Sequence, residues 1–253
     1  MSHWTVQRFG RGVLLLLVFT LAACANQPAV RDADSAAANA WEAASSSIAS
    51  PARWLHQPFP GKRQSDYSYQ LLDGRDTMMV KAESSASMLR QVLRVESSDL
   101  GRLRFSWKVP ALIAAADLRE RELDDSPVRL ILAFEGDRSK FSAKDAMLSE
   151  LAHALTGEPM PYATLMYVWC NHSPPGAVLH NARTSRIRKL VMESGAGKLG
   201  RWLDYERDVR ADFEKAYGEA PGALVSIGIM TDTDNTRSTA TAWYGPVRLL
   251  HGR

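Results

Sequence analysis

Arg102-Leu103-Arg104-Phe105-Ser106-Trp107-Lys108-Val109 alternates strictly between polar and apolar residues. A β-strand turns successive side chains to opposite faces, so this run predicts a strand with one buried face. Val128, Leu130, Leu132 and Phe134 repeat the pattern. Between Tyr67–Leu72 and Thr77–Ala82 stands Asp73-Gly74, a pair suited to the positive φ angles of a tight hairpin. Residues 162–170, 187–192, 223–230 and 240–250 are further strand candidates. Helices are few. Ser142 and Asp145 open one, Met147, Leu148, Leu151 and Leu155 share a face of it, and Gly157 stops it. A second, shorter helix is expected over 212–217, before Gly218. Strands without regular helical alternation predict a mainly β chain, an antiparallel, jelly-roll-like β-sandwich with one or two short helices.

Outward from this domain, the N-terminal region has a different character. Arg8 and Arg11 precede an apolar run over 13–23 that is too short to span a bilayer, which takes about 20 residues. The run ends in Leu21-Ala22-Ala23-Cys24, which resembles the bacterial lipobox. The resemblance implies a signal peptide over 1–23 and acylation of Cys24 by chains such as palmitate. With Ala25 rather than Asp next, it implies sorting to the outer membrane, facing the periplasm. Residues 24–50 are rich in Ala, Ser, Asp and Asn and poor in bulky apolar groups, so a flexible tether is expected there. The alternative is an Ala-rich helix around Trp41. Residues 51–253 are then one β-sandwich domain.

Removing residues 1–23 takes away two arginines and no acid, so the net charge falls from +3 to +1. That balance gives no reason to expect nucleic acid as a partner. With Cys24 acylated, Cys170 lacks an intramolecular partner, so the core must hold without a disulfide. Of the seven Trp, seven Tyr and seven Phe, all but Trp4, Phe9 and Phe19 remain to supply that core.

Several phrases together resemble the domain of unknown function 3047 family, exported bacterial proteins without an assigned activity. They are Trp107-Lys108-Val109, Asp117, Asp124-Asp125 with Arg129, Tyr167-Val168-Trp169 with Asn171, Gly200-Arg201-Trp202, Glu206-Arg207-Asp208-Val209, Tyr217-Gly218 and 230–236. The resemblance implies a single domain and names no activity. The closing strands, 225–229 and 243–249 around an acidic loop, also resemble galactose-binding-like jelly rolls.

Three groups of residues are candidates for a site. Asp232, Asp234 and Asn235 crowd oxygen atoms into a connecting loop and could serve as calcium ligands. Turn chemistry explains the same residues, because Asp and Asn bond their own backbone. Asp117, Asp124 and Asp125 belong to an acidic run before Arg129, suited to acid–base work on a glycoside, to cation binding, or to ion pairing with Arg129 or Arg121. Trp107 and Trp169, with Asn171 beside the latter, could stack on a sugar ring, although tryptophans on strands commonly pack in a core. The two acidic segments are expected to meet at one end of the sandwich.

No phosphate loop, zinc pattern or nucleophile elbow is present: 195–200 lacks the Ser or Thr after its Lys. The reading that follows is a non-catalytic envelope lipoprotein. It is either structural or binds a ligand such as carbohydrate or another envelope polymer, with a membrane as the partner of its lipid. The alternative is a polysaccharide hydrolase or lyase using the loop carboxylates.

Overall fold

A computed structural model describes residues 39–45 and 53–251 of the chain. The signal peptide expected over 1–23 and Cys24 lie outside the described residues. The elements are α1 (Ala40–Ala44), β1 (Trp54–Pro58), β2 (Asp66–Leu72), β3 (Arg75–Glu83), β4 (Ser87–Val95), β5 (Leu100–Lys108), β6 (Ser126–Phe134) and α2 (Ala143–Thr156). They continue with β7 (Ala163–Cys170), β8 (Val178–His180), β9 (Ile187–Ser194), β10 (Trp202–Asp208), α3 (Val209–Tyr217), β11 (Leu224–Asp232), β12 (Thr239–Tyr244) and β13 (Arg248–His251). They form a β-sandwich. A seven-stranded sheet runs β1-β4-β11-β6-β7-β9-β8, and a six-stranded sheet runs β10-β5-β12-β3-β2, with β13 also on β5.

Alternation set the core. Leu103, Phe105 and Trp107 of β5 face Val128, Leu130, Leu132 and Phe134 of β6, all at most 4 % exposed. Phe105 stacks on Tyr167 of β7 at 5.5 Å. Asp73 (φ 53°) and Gly74 (φ 72°) make the expected tight turn between β2 and β3. Ser142 caps α2 by accepting from the Asp145 amide at 3.1 Å, and Gly157 ends it in the left-handed conformation.

Three expectations need correction. The pairing is not wholly antiparallel, because β9 runs parallel to β7. The chain leaves β7, forms β8 on the far side of β9, and turns back as β9. The expected strand over 240–250 is broken into β12 and β13 at Gly245-Pro246, since proline has no N–H for the ladder. The tether expected over 24–50 does not extend through residues 39–45, which form α1 on the sandwich. Trp41 is fully buried, 4.8 Å from the Trp54 ring. Ser45 Oγ accepts from the Val247 amide at 3.1 Å, and Arg248 Nε donates to the Ala44 carbonyl at 2.7 Å. One buried tryptophan suffices to dock this Ala-rich turn.

Candidate functional site

The outer face of the seven-stranded sheet carries a groove of about 1130 Å³. Its floor comes from the residues that alternate away from the core: Met88 and Val92 of β4, Ile131 and Ala133 of β6, Thr164 and Met166 of β7, and Met230 of β11. Gly228 of β11 leaves room for this floor. A Cβ there would stand 2.5 Å from the Met88 sulfur, so only glycine lets that side chain lie across the strand. One wall is the β1–β2 connection with Phe59 and Lys62; the other is the end of α2 and the segment through Glu158 to Tyr162. Arg90 reaches from the floor to Glu158 by a two-pronged bond of 2.8 and 2.7 Å.

One end of the groove is built from buried charges. Arg129 of β6 pairs across the sheet with Met230 of β11, and the register shifts between Met230 and Asp232. Such a bulge re-aims the next side chain, and here it places Asp232 beside Arg129. Arg129 Nε donates to Asp232 Oδ1 at 2.8 Å, while Nη2 donates to the Asp124 carbonyl at 2.8 Å and to Asp124 Oδ1 at 3.0 Å. Lys189 of β9, fully buried, donates to Asp124 Oδ2 at 2.5 Å and to the Leu118 carbonyl at 2.9 Å. Asn181 adds a third donor to Asp124 at 3.2 Å. Asp125 accepts from the Asn235 amide at 3.3 Å and from the amide and hydroxyl of Thr236 at 2.7 and 2.6 Å. Asn235 Nδ2 donates to the Asp124 carbonyl at 3.0 Å, and Lys62 pairs with Asp234.

Burial sets the protonation of these groups. It pushes the Asp232 carboxyl up to about 6, against the pull of Arg129. Burial also acts upward on Asp124, but Arg129 and Lys189 together outweigh it and hold that carboxyl below its ordinary range. The Lys189 ammonium is lowered, first by burial and then by the neighbouring Arg129. Two carboxyls in one groove end therefore differ in proton affinity because one has two cations and the other has one.

The structure thus brings together Asp124, Asp125, Arg129, Asp232, Asp234 and Asn235. Ligand atoms of Asp125, Asp232 and Asp234 lie within 4.8 Å of one another, close enough in principle to hold a cation. Asn235 lies outside that triad, and its Nδ2 donates to the Asp124 carbonyl.

The remaining candidates stand elsewhere. Asp117 is clamped by Arg119 at 2.9 and 2.6 Å, which holds its carboxyl near 2, and it does not line the groove. Asn171 fastens the preceding loop, donating to the carbonyls of Ile113 at 2.8 Å and Ala116 at 2.9 Å. Trp107 and Trp169 are 0 % and 1 % exposed, so they offer no ring to a ligand. Trp107 shares its strand face with Leu103 and Phe105, a sign already present in the alternation. Lys189, Lys62, Arg90 and the methionine floor were not anticipated. The single usable sign was a lysine inside the apolar run of β9.

The profile described as Protein of unknown function (DUF3047) matches residues 52–248. No curated protein sequence matches the chain. Among solved structures, the xyloglucanase domain of NopAA, a type three effector from Sinorhizobium fredii in complex with cellobiose, is 9% identical at a TM-score of 0.42, covering 79% of this chain and 93% of that one. The low-affinity xylan-binding module CBM86 from Roseburia intestinalis is 12% identical at 0.29, covering 76% and 88%. The mannan-recognising module TmCBM27 is 13% identical at 0.29, covering 79% and 88%. Identities and scores this low leave the ligand of this chain to be argued from its own groove.

Proposed function

The chain belongs to the DUF3047 family of proteins of unknown function, and we propose that it is a non-catalytic module that seats an extended, uncharged, polyhydroxylated ligand in the groove of the seven-stranded sheet. The observation that carries this reading is the balance of the groove lining. Six cationic residues (Lys62, Arg90, Arg94, Arg129, Arg138, Arg183) face six acidic ones (Glu96, Asp124, Glu135, Glu158, Asp232, Asp234) around an apolar floor. A polyanion or a polycation would meet as much repulsion as attraction there. A carbohydrate presents apolar C–H faces to such a floor, and its hydroxyls both donate and accept, matching alternating guanidinium and carboxylate groups. The carboxylates at the closed end are already bonded to Arg129, Lys189, Lys62 and backbone amides, which favours recognition over reaction.

The test is affinity electrophoresis of the protein through gels holding neutral polysaccharides (xylan, mannan, a soluble β-glucan) or anionic ones. Val92 lies on the floor and is 52% exposed, so Val92→Trp fills the groove without disturbing the core. Retardation by a neutral polysaccharide, lost in that variant, is expected. Retardation by anionic polymers alone, or equal retardation of the variant, overturns the reading.

A second reading, a polysaccharide hydrolase or lyase, has one observation in its favour. Asp232, raised to about 6, lines the groove near Asp124, held low, and such a split is how acid and base roles are divided between carboxyls. Release of new reducing ends by the wild type, abolished in Asp232→Asn, would replace the binding reading with this one.

The proposal places the module in the cell envelope, at the outer membrane facing the periplasm, anchored through lipid on Cys24. Leu21-Ala22-Ala23-Cys24 supports that address, and palmitate labelling of the wild type, absent from Cys24→Ser, tests it.

A further inference from the structure

α2 is mounted inside out. Its inward face is polar: Asp145 accepts from the hydroxyls of Thr184 and Ser185, both at 2.5 Å, and Ser149 accepts from Arg138 at 2.9 Å. Asp145 and Ser149 are 1 % and 2 % exposed. The opposite face carries Met147, Leu151 and Leu155, four residues apart, which are 64%, 53% and 62% exposed. Four-residue spacing stacks side chains on one face of a helix, so these three form a continuous apolar stripe. A surface helix ordinarily turns its apolar stripe to the core and its polar face to water. Here hydrogen bonds and the half-buried Leu148 hold the helix down, and the three exposed side chains of the stripe add little to the fold.

We propose that this stripe rests on the surface of a lipid bilayer, as a second membrane contact beside the anchor at Cys24. The inference rests on the lipid-anchor part of the proposed function and not on the identity of the groove's ligand. Three observations select a bilayer. First, Lys144 stands within the stripe, where its ammonium can reach anionic headgroups, while the exposed Glu150 only flanks it on the Met147 side. Second, the stripe is too small for a dimer of this chain. Three side chains of on the order of 100 Å² each, doubled by two-fold symmetry, come to roughly half of the ~1,200 Å² that a stable interface buries. Third, fourteen residues lie between Cys24 and Asn39, a span of up to about 50 Å when extended. That exceeds the roughly 35–45 Å diameter of a domain this size. A chain length of that reach does not by itself fix which face meets the membrane, so the exposed stripe decides it. No helix among the described residues is long and apolar enough to cross a bilayer, so the contact lies along the surface.

The experiment uses the full chain expressed in a bacterial envelope. A photo-cross-linking phenylalanine derivative is placed at position 151 and, separately, at position 71, where Leu71 is 67% exposed on another part of the surface. After irradiation, the membrane-fraction protein is analysed by mass. The expected result is a lipid adduct from position 151 and none from position 71. A band at twice the mass would assign the stripe to a second copy, and an adduct with another protein would assign it to that partner. Either overturns the proposal, as does membrane-bound chain with no adduct at position 151. Chain missing from the membrane fraction would remove the anchor and the proposal with it, while leaving polysaccharide retardation to judge the groove separately.

Discussion

On the outer face of the six-stranded sheet, Arg102 and Arg104 hold Glu206 at 2.9 and 2.6 Å, with the arginines 65% and 59% exposed. On the outer face of the seven-stranded sheet, Arg129 holds Asp232 at 2.8 Å with side chains 4% and 6% exposed. The bonds are alike in length and chemistry and differ in surroundings. The first sheet has a shallow hollow of about 600 Å³ beside α1, and water screens its pairs. The second is walled by α2 and the β1–β2 connection, so its charges are held in place by one another. An exposed pair contributes little to stability, whereas a buried one, once built, cannot lose a single member cheaply. The groove end is therefore the part of this surface whose shape is fixed before any ligand arrives.

Arg129→Leu should break the comparison most visibly. It leaves Asp232 buried without its cation, which costs about 3–5 kcal/mol and lowers Tm by roughly 6–20 °C. Arg129→Leu/Asp232→Leu should recover much of that loss, because replacing both members of a buried pair by apolar groups is often close to neutral. A double variant melting as low as the single one would mean that the pair holds the sheet by more than mutual neutralisation.

Acidity sharpens the same contrast. The folded state holds the Asp232 proton more tightly than the unfolded chain does, with a carboxyl near 6 against 3.8. Stability from this group is therefore full below about pH 4 and falls as pH rises through 6. Two units correspond to about 3 kcal/mol. Asp117 and Asp145, both held near 2, act in the opposite sense and only as pH falls below about 4. Across pH 4–7 denaturant melts of the wild type should therefore lose more stability with rising pH than those of Asp232→Asn, in which only groups such as His56, lowered by burial and acting in the opposite sense, remain.

The surface sheet should respond little. Arg104→Ala is expected to move Tm by no more than about 2 °C. The smallest effect is expected from calcium. Lys62 and Arg129 already supply positive charge to Asp234 and Asp232, so Tm in millimolar calcium should stay within about 1 °C of Tm in chelator. A rise of several degrees would make the groove end a metal centre and Lys62 its displaceable occupant.

The strands that carry a clean period-two pattern could be read from the amino acids, as β5 and β6 show. β4 was missed because Gln91 takes a core-facing position and is 2% exposed, interrupting the apolar alternation. β8 has three residues, too few for any period, and α1 shows only Trp41 among small residues. At the site, the two acidic segments were legible because each concentrates its carboxylates within a few consecutive positions. The groove was not. Its floor takes one or two residues from each of several strands, and their adjacency is created by strand order, which no local pattern encodes. The tryptophan platform failed for a related reason. Ring chemistry suggested stacking, but the face of the strand decided burial.

That strand order also bears on when the chain can fold. β11 lies between β4 and β6, and β12 and β13 pair with β5, so both sheets are completed by residues near the C-terminal end of the sequence. Ser226 of β11 pairs with Val92 of β4, more than a hundred positions earlier in the chain. Contacts this distant make folding slow, because the closure of long loops precedes any gain from pairing. A nascent chain ending before Leu224 would have β4 and β6 with no strand between them, each showing an open edge. Such a polypeptide cannot complete either sheet until its last segment is available. Once that segment is available, the chain exposes those edges during a slow search, the interval in which chaperones guard against aggregation.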